Sequence, residues 1–373
     1  MKLLIITQKY DINDSNLGVF IDWWDKLAER VDKIYILALE YRSGSTPIEA
    51  DQRGNYQRES AENQRKSASN IEILSMGKEK GAGFFRKIFG FYAGLFKIIG
   101  KTDAILVHMI PKYVILAAPV AFVFRKPIYM WYTGVSAHWQ LRVAVLFCKK
   151  IFTAHEAAMR ISTSKRIITG HGIDVKKFQV PSSKFQVQGP ITILSVGRIT
   201  PSKGHDLIIK VVANLIKLGY DLKLKIIGGV IQRYHENYST SLKELVRELE
   251  IADRVEFSGA VSYDKMPEYL GNAEILINAV PFGGLDKAVL EAMSAGVVPL
   301  TSNSAFLSVF PEGVNRNLVF KIGDFEDLKN KLKNILDKKF YQNDGLKHEL
   351  RNIVVRNHNL DNLILRVVKE IKV

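Results

Sequence analysis

Two loops of this 373-residue chain gather residue types that suit an anion. The first runs Gly197-Arg198-Ile199-Thr200-Pro201-Ser202-Lys203-Gly204. Arginine offers phosphate oxygens a planar fork, and lysine offers them a compact charge. The second runs Pro281-Phe282-Gly283-Gly284-Leu285-Asp286-Lys287 and leads into Ala288-Val289-Leu290-Glu291-Ala292-Met293-Ser294-Ala295-Gly296. Its glycines let the backbone turn tightly and approach a ligand closely. Asp286 can cap a helix whose free amides come from the next residues. A glycine loop that opens a helix favours negative charge, because unpaired N–H groups and the helix dipole act together there. Glu291 lies four residues after Lys287, so the two share a helix face near the loop. One carboxylate at that place can hold the two hydroxyls of a ribose while amides and cations hold its phosphates. The same features also fit any strand–turn–helix unit with a surface Glu–Lys pair, and two cations among 53 Lys and Arg are not distinctive by themselves.

The elements that must position these loops are legible around them. Residues 191–196 read as a strand ending just before Arg198, and 205–218 as a helix with apolar residues at helical spacing. The apolar run 275–280 reads as a buried strand feeding the glycine loop. The following helix runs to about Ala295 and stops at Gly296, a left-handed cap, before a strand at 297–300. Both loops therefore sit at C-terminal ends of strands, where ligands bind in open parallel sheets. Residues 222–227 and 254–257 continue this sheet, and Leu242, Leu245, Val246 and Leu249 mark a further amphipathic helix. The N-terminal half alternates in the same way. Strands are expected at 2–7, 33–39, 71–76, 104–109, 127–133, 151–154 and 166–169, and helices at 19–31, 84–99 and 141–150. Such alternation argues for a doubly wound parallel sheet. Residues 43–70 form a polar insertion, and 180–190 hold the turn and polar residues expected of a linker between two periodic regions.

Bulk properties narrow the function class. At ~150 residues per domain the length predicts two or three domains. The single cysteine, Cys148, excludes an internal disulfide and a CxxC metal site, and its apolar helical surroundings mark it as a buried structural thiol. No His/Cys/Asp cluster shows metal-ligand spacing. The loop 7–18 lacks GxGxxG, which counts against a nicotinamide dinucleotide enzyme. The first residues read as a strand rather than a leader, and the apolar run 113–124 is interrupted by Pro119 and falls short of the ~20 residues a spanning helix needs. A cytoplasmic protein is the expectation. The net charge of +15 favours a polyanionic partner, but the charge is not gathered in a recognised nucleic-acid module, so nucleic acid is not expected.

Leu290-Glu291-Ala292-Met293 through Gly296, together with Val196-Gly197-Arg198 and Lys203-Gly204 upstream, resembles the nucleotide-sugar motifs of family 4 retaining glycosyltransferases. The resemblance covers essentially the whole chain, strongest over 191–301 and weakest over 43–100. It implies a GT-B fold, α/β, with two facing Rossmann-like domains and a cleft between them. The expected parts are an acceptor-binding domain at 1–180, a nucleotide-sugar-binding domain at 190–345, and a helical segment at 346–373 that returns to the first domain. It implies a nucleoside diphosphate sugar as donor, UDP- or GDP-linked, a glycan or lipid-linked acceptor, and transfer to a hydroxyl with retention. Arg198 and Lys203 are the implied catalytic residues. The implied donor-binding set is Gly18, Arg198, Lys203, Gly283, Gly284, Leu285, Asp286, Lys287 and Glu291, with Glu291 on the ribose. Two positions depart from the family pattern. Its first glutamate, separated by seven residues from the second, is Gly283 here, and the histidine that ends the strand 131–133 is Gly134. His138 or His108 could supply an imidazole nearby, and the glycines of 168–174 resemble the turn before the family's domain linker. These departures keep two alternatives open: a nucleotide-sugar epimerase of the same fold, and a sugar- or polyanion-binding protein without activity.

A last stretch stands outside this scheme. Residues 78–101 combine six aromatic residues with six Lys or Arg and a single acid, Glu79. Such a helix can lie in a membrane interface, or can be a core helix with a basic edge. The first alternative would place the protein peripherally on the inner face of an anionic membrane.

Overall fold

The structure is a computed structural model that describes residues 1–11, 14, 17–42, 70–134, 136–179, 189–230, 235–280 and 283–372. Most of the 43–70 insertion, most of the 180–190 segment, and Pro281 and Phe282 of the glycine loop lie outside the described residues. The chain divides into two units, 1–172 with 360–373, and 173–359.

The first unit is built in chain order from β1 (Lys2–Tyr10), α1 (Val19–Ala28), β2 (Lys33–Tyr41), β3 (Ile71–Ser75), α2 (Phe84–Ile99), β4 (Ala104–His108), α3 (Pro111–Val123), β5 (Ile128–Trp131), α4 (Trp139–Phe147), β6 (Cys148–Thr153) and β7 (Arg166–Ile168). Its parallel sheet has the order β3-β2-β1-β4-β5-β6-β7. β1 pairs β2 from Lys2 with Lys33 and β4 from Leu3 with Ala104. A central strand covered on both faces must be apolar throughout, as Leu3–Ile6 is. Leu4 and Ile6 point into one layer with Phe91, Leu95, Val114 and Leu141 of α2–α4. Leu3 and Ile5 point into the other with Trp23, Trp24 and Leu27 of α1 and Leu363, Ile364 and Val367 of the C-terminal helix, Leu360–Lys372.

The second unit contains β8 (Ile191–Val196), α5 (His205–Lys217), β9 (Leu222–Ile227), α6 (Glu236–Glu248), β10 (Val255–Gly259), α7 (Met266–Gly271), β11 (Ile275–Asn278), α8 (Lys287–Ala295), β12 (Val298–Thr301), the short α9 (Asn315–Leu318), α10 (Phe325–Asp337) and α11 (Asp344–Asn357). Its parallel sheet runs β10-β9-β8-β11-β12, with Ile193 of β8 beside Ile275 of β11. The chain winds outward from β8 through β9 to β10, then crosses back to β11 and β12. The winding reverses between β8 and β11, and at such a switch point the two following loops part to leave a crevice beyond the strand ends.

Three boundaries differ from the sequence reading. The first unit ends at 172 rather than 180, because Ile173, Val175 and Phe178 belong to the core of the second. The 346–373 segment is not one returning piece. Leu346, Leu350 and Val354 of α11 belong to the core of the second unit, whereas Leu360, Leu363, Ile364, Val367 and Val368 belong to the first. The break is at His358–Asn359, where Ile173 N–H donates to the His358 carbonyl at 2.6 Å. Two apolar stripes of helical period follow one another there, and periodicity alone merges them. Cys148 is not in a helix but opens β6, paired with Ile128 of β5. Burial pushes its thiol up to about 12, in keeping with a structural role.

Candidate functional site

The two loops that carry the sequence motifs follow β8 and β11, the strands on either side of the switch point. Asp286 has extended backbone, φ −75° and ψ 130°, and its Oδ1 accepts the Ala288 N–H at 3.1 Å, so it is the N-cap of α8. Gly296 closes that helix at φ +78°. Residues just after β12 hold the glycine loop. Ser302 Oγ donates to the Val280 carbonyl at 2.7 Å, and Asn303 Nδ2 donates to the Gly284 carbonyl at 2.9 Å. The Leu285 side chain is buried in the core, so only its backbone faces a ligand.

The other loop is held as firmly. A Cβ at Gly228 would stand 1.8 Å from the Gly197 carbonyl oxygen, so two backbones meet where β8 ends and only glycine fits. His205, fully buried at the start of α5, spans the loop: Nδ1 lies 3.1 Å from Ser195 Oγ and Nε2 lies 3.2 Å from the Arg198 carbonyl. A carbonyl only accepts, so Nε2 carries the proton and the Ser195 hydroxyl donates to Nδ1. Burial lowers the imidazole pKa, which favours this neutral form. The Arg198 side chain is exposed. Lys203 precedes Gly204, which has φ +60° and whose added Cβ would come within 2.9 Å of Ala279 Cβ. The two loops thus touch, and Lys203 Nζ reaches Asp286 Oδ2 at 3.4 Å. The same carboxylate caps α8 and holds the lysine over the helix start.

Glu291, one turn into α8, is 5% exposed. Tyr263 donates its hydroxyl to Glu291 Oε1 at 2.9 Å. Lys177 and Lys287 place their ammonium groups 4.7 and 5.4 Å from the centre of the Tyr263 ring. Burial raises the Glu291 carboxyl to about 7, against the opposing pull of Lys287, Tyr263 and Lys177. Arg351 of α11 ties this side together, donating to the Ser294 carbonyl at the end of α8 and, at 2.9 Å, to the Val175 carbonyl.

The second unit therefore brings together Arg198, Lys203, Gly283, Gly284, Leu285, Asp286, Lys287 and Glu291. Gly18 lies in the first unit, where it precedes α1 at φ −57° and ψ −33°, a conformation open to any residue. A Cβ at Gly134 would lie 2.4 Å from the Tyr132 hydroxyl, so that ring occupies the space a side chain at 134 would need. His138 Nδ1 caps α4 by accepting the Leu141 N–H at 3.2 Å. His108 is buried, 3.3 Å from Thr7 Oγ1 and edge-on to Phe20. The turn at 170–172 uses two left-handed glycines, Gly170 at φ +82° and Gly172 at φ +67°. Sequence reasoning missed Tyr263, Lys177, His205, Ser302, Asn303 and Arg351. Lys177, Tyr263 and Glu291 are far apart along the chain and no spacing rule links them. His205 carried a weak signal as a polar residue at the start of an amphipathic helix. Among the described residues no three His, Cys, Asp or Glu side chains are grouped to hold a metal ion.

In chemical terms the site pairs a cationic rim and a helix start with a buried carboxylate on the next turn. That arrangement can hold a phosphate at one end and a diol at the other.

Comparison with known proteins bears on this arrangement. The model for glycosyl transferases group 1 matches residues 177–356. A GDP-Man:Man(3)GlcNAc(2)-PP-Dol alpha-1,2-mannosyltransferase of Mus musculus is 33% identical over 137 residues, 35% of this chain and 28% of that protein. The match thus spans little more than a quarter of that relative's length. Protein CapJ of Staphylococcus aureus is 23% identical over 287 residues, covering 71% of this chain and 70% of CapJ. The lipopolysaccharide core biosynthesis mannosyltransferase LpsB of Rhizobium meliloti is 27% identical over 171 residues, 44% of this chain and 48% of LpsB. Among solved structures, Anabaena Alr3699/HepE in complex with UDP and glucose superposes with a TM-score of 0.74 at 14% identity, over 100% of this chain and 99% of that one. The fold is that of the GT-B glycosyltransferases.

Proposed function

We propose that this chain, whose residues 177–356 match the model for glycosyl transferases group 1, transfers a sugar from a nucleoside diphosphate sugar to an acceptor hydroxyl with retention of configuration. The observation that carries this reading is the meeting of the two loops at the switch point. Lys203 and the Asp286-capped start of α8 lie together, with Glu291 buried one turn further on.

In this reading Glu291 accepts hydrogen bonds from the two ribose hydroxyls. The diphosphate takes backbone amides of 284–287, with Arg198 and Lys203 on its oxygens. Asp286 holds Lys203 at 3.4 Å, and a phosphate at the start of α8 competes for that charge. As the bond from sugar to phosphate breaks, negative charge builds on the leaving diphosphate. Groups already aimed at that place stabilise the transition state more than the ground state. No side chain need act as general base if the leaving phosphate takes the proton of the acceptor hydroxyl. Retention is supported by the resemblance of the 290–296 stretch to retaining enzymes. Relatives named for GDP-mannose and neighbours solved with UDP make GDP-mannose and UDP-hexoses the donors to test first. Relatives named for dolichol-linked and lipopolysaccharide acceptors support a glycan or lipid-linked acceptor in cell-surface glycan or glycolipid synthesis.

The test is incubation of the protein with each donor and a set of saccharide and lipid-linked acceptors, with products read by proton NMR. Transfer with release of nucleoside diphosphate, and an anomeric coupling matching that of the donor, is expected. Inverted coupling would remove retention. An epimerised donor without transfer would make the protein an epimerase, and tight donor binding without turnover would make it a binding protein.

A further inference from the structure

The outer surface of the α2–α4 layer has no counterpart in the reaction just described. We propose that this layer of the first unit docks on an anionic lipid bilayer, with aromatic and aliphatic side chains entering the headgroup region and basic residues meeting lipid phosphates.

Three observations carry it. The first is exposure. α2, α3 and α4 lie side by side on one face of the sheet, and their inner residues fill the core there. Their outer residues include bulky apolar side chains that a solvated layer does not call for. Phe85 is 85% exposed, Phe89 73%, Phe122 85% and Leu146 72%, joined by Val123 and Trp139. Phe85 and Phe89 are one turn apart on α2, and Phe96, also exposed, continues their stripe. Single exposed apolar residues need no explanation, but bulky ones recurring on three neighbouring helices do.

The second observation is charge. Between Gly81 and His155 the chain carries ten Lys or Arg and one acid, Asp103, which accounts for +9 of its net +15. Asp103 is engaged at the far end of β4, accepting the Lys2 N–H at 2.6 Å. Arg86, Lys97, Lys112 and Arg142 are exposed beside the apolar side chains, and Lys112 Nζ stands 5.4 Å from the Phe84 ring centre. Long basic side chains can lay their stems along apolar surface and lift their charge to the phosphate level. The third observation is length. α2 has 16 residues, about 24 Å at 1.5 Å per residue, and among the described residues no helix is long and apolar enough to cross a membrane. The layer suits lying in an interface rather than spanning one.

Charge also selects the occupant. A second copy docking through the same patch would set two strongly basic surfaces against each other. An anionic bilayer supplies opposite charge and an apolar interior at the same surface.

The experiment is co-sedimentation of the full chain with vesicles of phosphatidylcholine alone, and of phosphatidylcholine with phosphatidylglycerol. Wild type, R86Q/K87Q/K97Q and F85S/F89S are compared, with donor-nucleotide affinity as the control for an intact second unit and circular dichroism for folding. Wild type is expected to bind the anionic vesicles, and less so at high salt. Losing three cations should lower partitioning on the order of 100-fold, at roughly fivefold for each. Losing the two rings should lower it by ~10-fold or more. Absent binding of folded wild type, or binding unchanged in F85S/F89S, would overturn the proposal. So would a wild-type dimer that F85S/F89S abolishes while vesicles are ignored, which would make the layer an interface between copies. Vesicle binding needs no donor, so this result and that of the transfer assay are independent.

Discussion

Replacing Glu291 by glutamine separates two consequences of burying a carboxylate beside a helix start. Burial raises this carboxyl to about 7, whereas in an unfolded chain it titrates near ~4.3. The folded state therefore binds the proton more tightly. The stability linked to it is complete below the unfolded value and is lost as pH rises through about 7. At ~1.4 kcal/mol for each pH unit between the two values, ionised Glu291 costs the fold on the order of 4 kcal/mol at alkaline pH. Glutamine keeps an oxygen for the Tyr263 hydroxyl and removes the charge. Glu291→Gln should thus be more stable than wild type above pH ~7 and close to it near pH ~5. Ligand binding should change in the opposite sense. Ribose hydroxyls that donate to the carboxylate favour its charged form, so nucleotide binding at pH ~7 should expel about half a proton. Titration calorimetry in buffers of different ionisation heat measures that release directly. In Glu291→Gln the release should vanish, and affinity for the nucleoside diphosphate should fall ~10- to 150-fold, from the ~1.5–3 kcal/mol of hydrogen bonds to a charged group. Unchanged affinity, or a proton release that persists in the variant, would refute the assignment of Glu291 to the ribose.

Tyr263→Phe removes a hydrogen bond that favours the carboxylate, so the pH at which nucleotide binding ceases to release protons should move up, with a ~3- to 10-fold loss of affinity; a proton-release profile that matches wild type would show that the tyrosine does not act through Glu291. Arg198→Ala and Lys203→Ala should lower kcat more than they weaken binding of the free nucleoside, because in the proposed reaction both would face charge that develops on the leaving diphosphate; equal losses for nucleoside and nucleoside diphosphate would argue for a structural role. His205→Ala breaks the tie from Ser195 to the Arg198 carbonyl and should cost ~1–3 kcal/mol in thermal unfolding. Burial depresses the His205 pKa, so its contribution is present above pH ~6.5 and is lost as pH falls below it; a wild-type-to-variant gap that widened in acid would contradict the neutral tautomer.

The parts legible in the sequence were those whose physics is local. The alternation of apolar runs marked the strands, because central parallel strands are buried on both faces. Asp286 before an apolar helical run, and Gly296 after it, marked both ends of α8, because capping depends on neighbours in sequence. Glycine loops at strand ends marked where Arg198 and Lys203 lie. What escaped depends on contacts across the fold. Tyr263 reaches Glu291 only because α7 and the turn before it pack beside α8. Asn303 holds the Gly284 carbonyl only because β12 lies next to β11. The break at His358–Asn359 was hidden because both flanking stripes are apolar at the same period, although they serve different cores. Cys148 was misplaced in a helix because pairing with β5, which periodicity cannot register, ends α4 at Phe147. Density of aromatics in 84–99 was plain, but which rings face outward was decided by α2 packing against α3.

The central claim is that one ligand spans the two loops at the switch point of the second unit. A crystal structure of the protein with GDP or UDP tests it most directly. Both ribose hydroxyls are expected within ~2.6–3.0 Å of the Glu291 carboxylate. Diphosphate oxygens are expected within ~2.7–3.2 Å of Arg198, Lys203 and the first amide of α8, with Lys203 turned from Asp286 toward phosphate. A nucleotide bound away from the start of α8, or a Glu291 carboxylate that meets no ribose hydroxyl, would contradict it.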